Sequence, residues 1–526
     1  MLWFYLILIL IIVIYIFTVK SKNSFKIRGI EHGPSIPIFG DSWRLFTRRE
    51  TFGGMLERTY NERGVGKRYY GISNMGLNIV TIKDPELIKQ ITVKDFDHFT
   101  DHLQFIKGDV DLLWSKNLFA LEGKKWRDMR TTLSPAFTSS KMKLMFTLIQ
   151  DASKTFVDYF EKQNQDVVEV ELKDAFTRFT NDVIATTAFG IKVDSLAERN
   201  NTFYLIGKKA TNFGTIGTVL KFIVQAACPP FAKWMGWGMF SLEVSAFYRK
   251  TIKETIEVRE KNNIVRPDMI NLLMEARKGN HIDDDDNVTD TSFASVEETL
   301  AAKPKEVKQR LTDDDITAQA LLFFLGGFDS VSNLMCFTAY ELAANPDIQD
   351  RVRQEVLDTV EDCNGKITYE GVMKMKYLDM VISESLRKWP SAVQTDRVCT
   401  KPYTIEPASP GEKPIKLETN ECIWIPVYGL HRDANYFPNP EKFDPERFSE
   451  ENKSKILPYT YLPFGAGPRN CIGSRFALLE AKLVLCELLR KFQIVPTEKS
   501  QIPLKLCVGT FTMASAGGFN FGFKKM

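Results

Sequence analysis

The chain is poor in the residues that usually hold metal. None of its eight cysteines, at 228, 336, 363, 399, 422, 471, 486 and 507, forms a C-x-x-C pair, which argues against a zinc ribbon or an iron–sulfur site. Only five histidines occur, and none belongs to an H-E-x-x-H motif. Formal net charge is +3, too small an excess to predict nucleic acid as a partner. No internal repeat and no mid-chain linker divides the sequence into independent cores. One stretch, 279–315, is strongly polar and acidic, but the EF-hand pattern is missing. It reads as an exposed, mobile loop rather than a calcium site.

Against these absences stands one unusual decamer, FGAGPRNCIG at 464–473. Gly465, Gly467 and Gly473 permit positive φ and Pro468 fixes its own, so the loop can fold tightly around Cys471. Apolar residues at helical spacing follow from Phe476 to Leu489, which places Cys471 just before a helix N-terminus. Free backbone N–H groups there favour negative charge and predict a tendency toward thiolate. Phe464 is positioned to cover the loop from one side. The other seven cysteines read as small buried hydrophobes of a reducing compartment. A lone thiolate in a glycine loop leaves haem as its natural partner.

The decamer resembles the haem-loop signature of the cytochrome P450 superfamily, F-x-x-G-x-R-x-C-x-G, as Phe464, Gly467, Arg469, Cys471 and Gly473. Other motifs of that family appear in order. Glu384 and Arg387 form E-x-x-R, three residues apart on one helix face. Arg447, in FDPERF, resembles the third member of a structural Glu-Arg-Arg network. Trp126 and Arg130 form W-x-x-x-R, and with Arg397 and Arg469 they match positions that the resemblance implies hold the haem propionates. Buried carboxylates must be paired, which is the physical reason for several arginines in one place. The cofactor implied is haem b with Cys471 as axial thiolate.

The segment LTDDDITAQALLFFLGGFDSVSNLMCFTAYELAANP predicts a long helix, capped by Thr312 with Asp315 and ended at Asn345-Pro346. Gly326 and Gly327 in its middle cost ~1 kcal/mol each against alanine. They indicate either close helix packing or a groove that admits dioxygen beside the haem. Asp329 and Ser330 match the family's acid–alcohol pair, the catalytic residues implied by the resemblance, with serine where threonine is usual. The Ser330 hydroxyl is placed to bond the Gly326 carbonyl four residues back. The missing methyl predicts more peroxide leakage without changing the class of reaction.

Residues 1–19 carry no charge and span ~28 Å as a helix, near the ~30 Å of a bilayer core. Lys20, Lys22, Lys26 and Arg28 follow, favouring a cytosolic catalytic part on a single-pass anchor in the endoplasmic reticulum membrane. On that topology the sequons at Asn200, Asn287 and Asn452 stay unmodified. The expected organisation is an anchor over 1–19, a basic and proline-rich lead over 20–40, and a haem-binding domain over 41–526. The fold class expected is mainly α with a small β part, a long central helix lying over the haem. Helical patterns dominate from about 140 to 395, and strand-like runs fall near 68–92, 400–425 and 500–524.

Aromatic residues at 203–240, with Phe99, Phe105, Leu112, Leu113, Trp114, Phe119 and Phe511, resemble substrate-facing regions and favour lipophilic small molecules. The whole chain most resembles the insect microsomal branch associated with plant toxins, insecticides and endogenous lipophiles. Lys124, Lys125, Arg127, Lys482, Arg490 and Lys491 read as a basic face for an acidic NADPH-dependent cytochrome P450 reductase, with cytochrome b5 as a further donor. The reading is therefore a haem-thiolate monooxygenase. A reductase-independent isomerase or dehydratase of hydroperoxides stays open, though the Asp329-Ser330 pair argues against it. A non-enzymatic haem-binding sensor stays open as well.

Overall fold

The helices that position the site are α1 (Gly123–Leu133), α2 (Ser139–Glu161), α3 (Leu172–Thr187), α4 (Leu242–Asn262), α5 (Met269–Lys278), α6 (Asp313–Ala344), α7 (Pro346–Asp362), α8 (Lys376–Lys388) and α9 (Ser474–Lys491). In this computed structural model the described residues are 24–526, except 34, 35, 37, 38, 75, 105, 107–109, 213–216, 218–220, 222, 223, 225–228, 267, 279–291, 296–310 and 511. The expected membrane anchor, Asn287, Cys228, Phe105 and Phe511 lie outside that set.

α6 forms as its sequence predicts. Thr312 accepts the Asp315 amide at 3.2 Å and Asp315 Oδ2 accepts the Thr312 amide at 2.8 Å, closing a capping box. Asn345 and Pro346 end the helix and start α7. By length and composition α6 is apolar enough to cross a membrane, yet it is the protein's central core helix, packed along α3 and flanked by α4, α8 and α9. Its apolar residues are distributed around the helix because neighbours cover it on most sides.

The β part is small. β1 (Tyr69–Asn74) and β2 (Leu77–Ile82) form a hairpin, β2 runs parallel to β7 (Cys422–Ile425), and β7 pairs antiparallel with β4 (Thr395–Val398). The register sets Arg397 opposite Ile423. A second sheet joins β3 (Val167–Glu171), β9 (Asn520–Lys525) and β8 (Phe492–Pro496), and β5 (Tyr403–Ile405) pairs with β6 (Ile415–Leu417). Residues 85–92, expected as strand, are helical instead, within a stretch that runs to Lys94: Asp84 caps the turn by accepting the Leu87 amide, and Pro85 starts it.

Two further expectations change. The lead up to residue 40 is partly docked on the body. Phe25 and Ile30 are buried, Arg28 pairs with Glu421 at 2.8 Å, and a Cβ on Gly71 would come within 2.9 Å of the Phe25 ring. Within the acidic 279–315 stretch, Ser292 and Ala294 are buried against the core, so that stretch is not exposed throughout.

Candidate active site

The Cys471 loop is held by its own main chain. The Cys471 amide donates to the Phe464 carbonyl at 2.8 Å, and the Asn470 amide donates to that of Gly467 at 2.9 Å. Gly465 and Gly467 take φ of +76° and +70°, whereas Gly473 caps α9 at −96° and does not use its freedom. At Gly467 a Cβ would also come within 1.8 Å of the Thr92 carbonyl oxygen, so no side chain fits there.

Cys471 is enclosed by protein, and burial pushes its thiol up rather than down; the Gly473 amide and the Arg130 charge pull it the other way. Burial thus opposes the stabilisation of a thiolate that the helix end offers. A bound cation would have to supply that stabilisation. The residue nonetheless has exposed surface.

Three buried arginines gather beside this loop. Arg130, on α1, donates to the Asn470 carbonyl at 2.9 Å and to its Oδ1 at 2.7 Å. Arg397, on β4, donates to the Ala466 carbonyl at 3.1 Å. Arg469 donates to the Thr100 and Leu121 carbonyls, both at 2.7 Å, and lies 4.1 Å over the Trp126 ring. Burial brings Arg397 down to about 10. Arg469 falls to about 9 through burial and then through the positive charge of Arg397. Of the nearby carboxylates, Asp101 is 3.5 Å from Arg469, and Asp396 already binds His102 at 3.1 Å and the Leu103 amide at 2.6 Å.

Arg397 Nε is buried and makes no hydrogen bond. Such an orphaned donor is costly unless a ligand takes it up. A cluster of mutually repelling guanidiniums around a lone sulfur fits a dianionic haem: thiolate on one side, propionates on the other.

The two glycines of α6 divide the alternatives between them. A Cβ on Gly327 would meet Ile184 Cδ1 at 2.9 Å, so that glycine serves packing against α3. A Cβ on Gly326 would meet nothing within 4 Å, so that one faces open space. Ser330 Oγ donates to the Gly326 carbonyl as expected, and Ser391 Oγ donates to the Ser330 carbonyl at 3.1 Å. Asp329 turns aside and pairs with Lys173 of α3 at 2.7 Å; the same ammonium binds Ser332 and Asn333.

Phe137 joins the two halves of the site. It lies 3.8 Å from the Cβ position of Gly473 and stacks edge-on against Phe323 of α6, centroids 5.4 Å apart. Gln319 ties the same helix to the segment before α1, accepting the Leu118 amide at 2.9 Å and donating to the Lys116 carbonyl at 2.7 Å.

The structural network behind the loop is buried at Glu384 and Arg387, while Arg447 is partly exposed. Arg387 donates to both oxygens of Glu384, at 2.7 and 2.9 Å, and to the His431 and Pro440 carbonyls. Arg447 sits 3.5 Å from Glu384 without a hydrogen bond and donates to the Asn439 carbonyl. His431 extends the network to the cysteine loop. Its Nδ1 faces the Arg387 carbonyl at 3.1 Å, and its Nε2 accepts the Leu462 amide at 2.8 Å. Burial and the Arg387 charge hold it neutral, down at about 3, so the proton belongs on Nδ1. Sequence reasoning passed over His431, Gln319, Thr92 and Ser391. Each acts on main-chain atoms, for which spacing gives no signal.

Around the site, the ring of Trp114 approaches Phe119 at 6.0 Å and Phe240 at 6.2 Å, bringing the two aromatic stretches together. Phe231, Trp234 and Met235 remain exposed on the outer side. Lys124, Lys125 and Lys491 are exposed, but Lys482 is buried on Asp379 at 2.7 Å and does not belong to the basic face.

Fold and site thus define a haem protein built on a cysteine thiolate. The sequence model of the family described as cytochrome P450 matches residues 33–518, and the chain belongs to that family. It is 43% identical over 516 residues to cytochrome P450 9e2 of Blattella germanica, covering 95% of this chain and 93% of that protein. Identity is 42% over 531 residues to the probable cytochrome P450 9f2 of Drosophila melanogaster, covering 99% and 98%. Cytochrome P450 6k1 of Blattella germanica matches at 36% over 503 residues, covering 95% and 93%. The protein is a haem-thiolate monooxygenase of this insect branch, served by a redox partner and acting on lipophilic substrates.

Proposed function

We propose that Cys471 is the axial ligand, that Arg130, Arg397, Arg469 and Trp126 hold the propionate side, and that Phe464 shields the sulfur. The observation that carries this is the buried arginine cluster beside a lone enclosed cysteine, with Arg397 Nε left without a partner. When bound, haem supplies activation of dioxygen and insertion of one oxygen atom into substrate. The chain's own residues do the rest. Gly326 leaves room above the site, Ser330 presents a hydroxyl in that space, and the Asp329 carboxylate, paired with the Lys173 ammonium, can accept a proton and pass it on.

Substrates are lipophilic small molecules, plant toxins and insecticides among them, with endogenous lipids as a second group. The aromatic cluster of Trp114, Phe119 and Phe240 supports this. Residues 1–19 anchor the protein in the endoplasmic reticulum membrane, and exposed Phe231 and Trp234 add a second membrane contact. NADPH-cytochrome P450 reductase docks on the face that carries Lys124 and Lys125, with cytochrome b5 as accessory donor. The decisive experiment is Cys471→Ser: the reduced protein with carbon monoxide loses the red-shifted band of sulfur ligation. Retention of that band overturns the assignment.

A further inference from the structure

The linker between α5 and α6 is polar in sequence, and of its central part residues 292–295 are described. They are seated in a built socket. The Ser292 hydroxyl donates to Asp379 Oδ1 at 2.5 Å, and the Phe293 amide donates to Oδ2 at 3.0 Å. Lys482 Nζ, on a side chain 2% exposed, reaches the same carboxylate at 2.7 Å. The Phe293 ring packs on Phe448 and Tyr461 with centroids 5.1 and 5.6 Å apart. A tether needs neither a half-buried aromatic anchor nor a carboxylate reading its main chain. Those are features of peptide recognition.

Both walls of the socket lead to the cysteine loop. Tyr461 stacks on His431 at 5.3 Å and donates to the Ser383 carbonyl at 2.9 Å. His431 in turn holds the Leu462 amide, where the chain enters the loop. Lys482 lies on α9, where the chain leaves it. The docked tripeptide therefore touches Tyr461, beside the entry to the loop, and shares Asp379 with Lys482 of the helix that follows the loop.

We propose that Ser292-Phe293-Ala294 is an internal peptide ligand, and that its docking in the Asp379–Lys482–Phe448–Tyr461 socket clamps the Cys471 loop and slows haem release. The release step rests on Cys471 as the haem ligand; the clamping itself does not. Phe293→Ala removes the anchor, and Ser292→Asp sets a second carboxylate against Asp379, whose repulsion expels the segment. Ser292→Ala is the milder change should either fail to fold.

In the full-length protein, hydrogen exchange at residues 461–464 is followed without haem, and haem transfer to excess apomyoglobin is followed with it. Phe293→Ala and Ser292→Asp raise both rates by about tenfold, with Ser292→Ala between them and wild type. Exchange at 461–464 that stays at the wild-type rate overturns the clamp, as does a rise spread evenly over the whole chain. Faster exchange without faster haem transfer keeps the clamp and removes its effect on haem. Failure of Cys471 as ligand would show instead in the carbon monoxide spectrum, leaving the haem-free measurement unaffected.

Discussion

Two groups of largely buried arginines lie near the cysteine loop, and they differ in what neutralises them. Arg387 and Arg447 have a carboxylate between them, Glu384, and Arg387 spends its remaining donors on carbonyls. Arg130, Arg397 and Arg469 lean on carbonyls and on one another's field, and one guanidinium nitrogen makes no bond. The first group carries its own counter-charge, Glu384, although Arg447 Nε, like Arg397 Nε, makes no hydrogen bond. In the second, Asp101 lies 3.5 Å from Arg469 and Arg397 Nε makes no hydrogen bond, an arrangement that suits an added anion. Buried charge without its counter-charge is expensive, which is why the difference marks a binding site.

The strongest way to break this comparison is Arg387→Ala, which strands Glu384. It costs ~3–5 kcal/mol and leaves little folded protein, measured by denaturant unfolding. Arg387→Lys does not rescue it, because lysine cannot grip both carboxylate oxygens. If Arg387→Ala proved as stable as wild type, the triad would not be the brace described.

Next in size is acid sensitivity at His431. Its folded value, about 3, lies below the ordinary value of 6.5, so the unfolded chain takes up the proton first. The stability it contributes is complete above pH 6.5 and is lost as pH falls toward 3, on the order of 5 kcal/mol in all. His431→Gln flattens that part of the stability curve. An identical acid slope in the variant would show that other groups cause it.

Arg397→Gln sharpens the contrast with the triad. Haem-free protein is unchanged or steadier by ~1 kcal/mol, because a buried, poorly paired charge is gone, while haem release accelerates. The gain over wild type is full below the folded value of about 10 and shrinks as pH rises past it, since the wild-type arginine then sheds its charge. A loss of haem-free stability as large as that of Arg387→Ala would erase the distinction between the two groups. The smallest effect belongs to the opposite face: Ser330→Thr lowers peroxide formed per product through a stiffer hydroxyl. Equal peroxide from both proteins would remove that argument.

Much of this arrangement was legible in the sequence because it rests on local rules. The Thr312–Asp315 box, the Asn345-Pro346 stop and the bond from Ser330 to Gly326 each involve residues within a turn of one another. Long-range placement was not legible. Lys482 reads as part of the basic face but folds inward to Asp379, which no local spacing announces. Asp329 points to Lys173, a residue far away in the chain on a helix that packs against α6. Gly326 and Gly327 look alike in sequence; only the position of Ile184 separates them. The acidic linker hid its docked tripeptide because a single phenylalanine in a polar run carries no periodicity.

Gly467 carries a consequence of its own. With the Thr92 carbonyl occupying the place of a β-carbon, the turn before the cysteine is seated by contact between two stretches of backbone. Neighbouring side chains can then drift through generations of substitution without moving the sulfur, provided this one position keeps hydrogen alone.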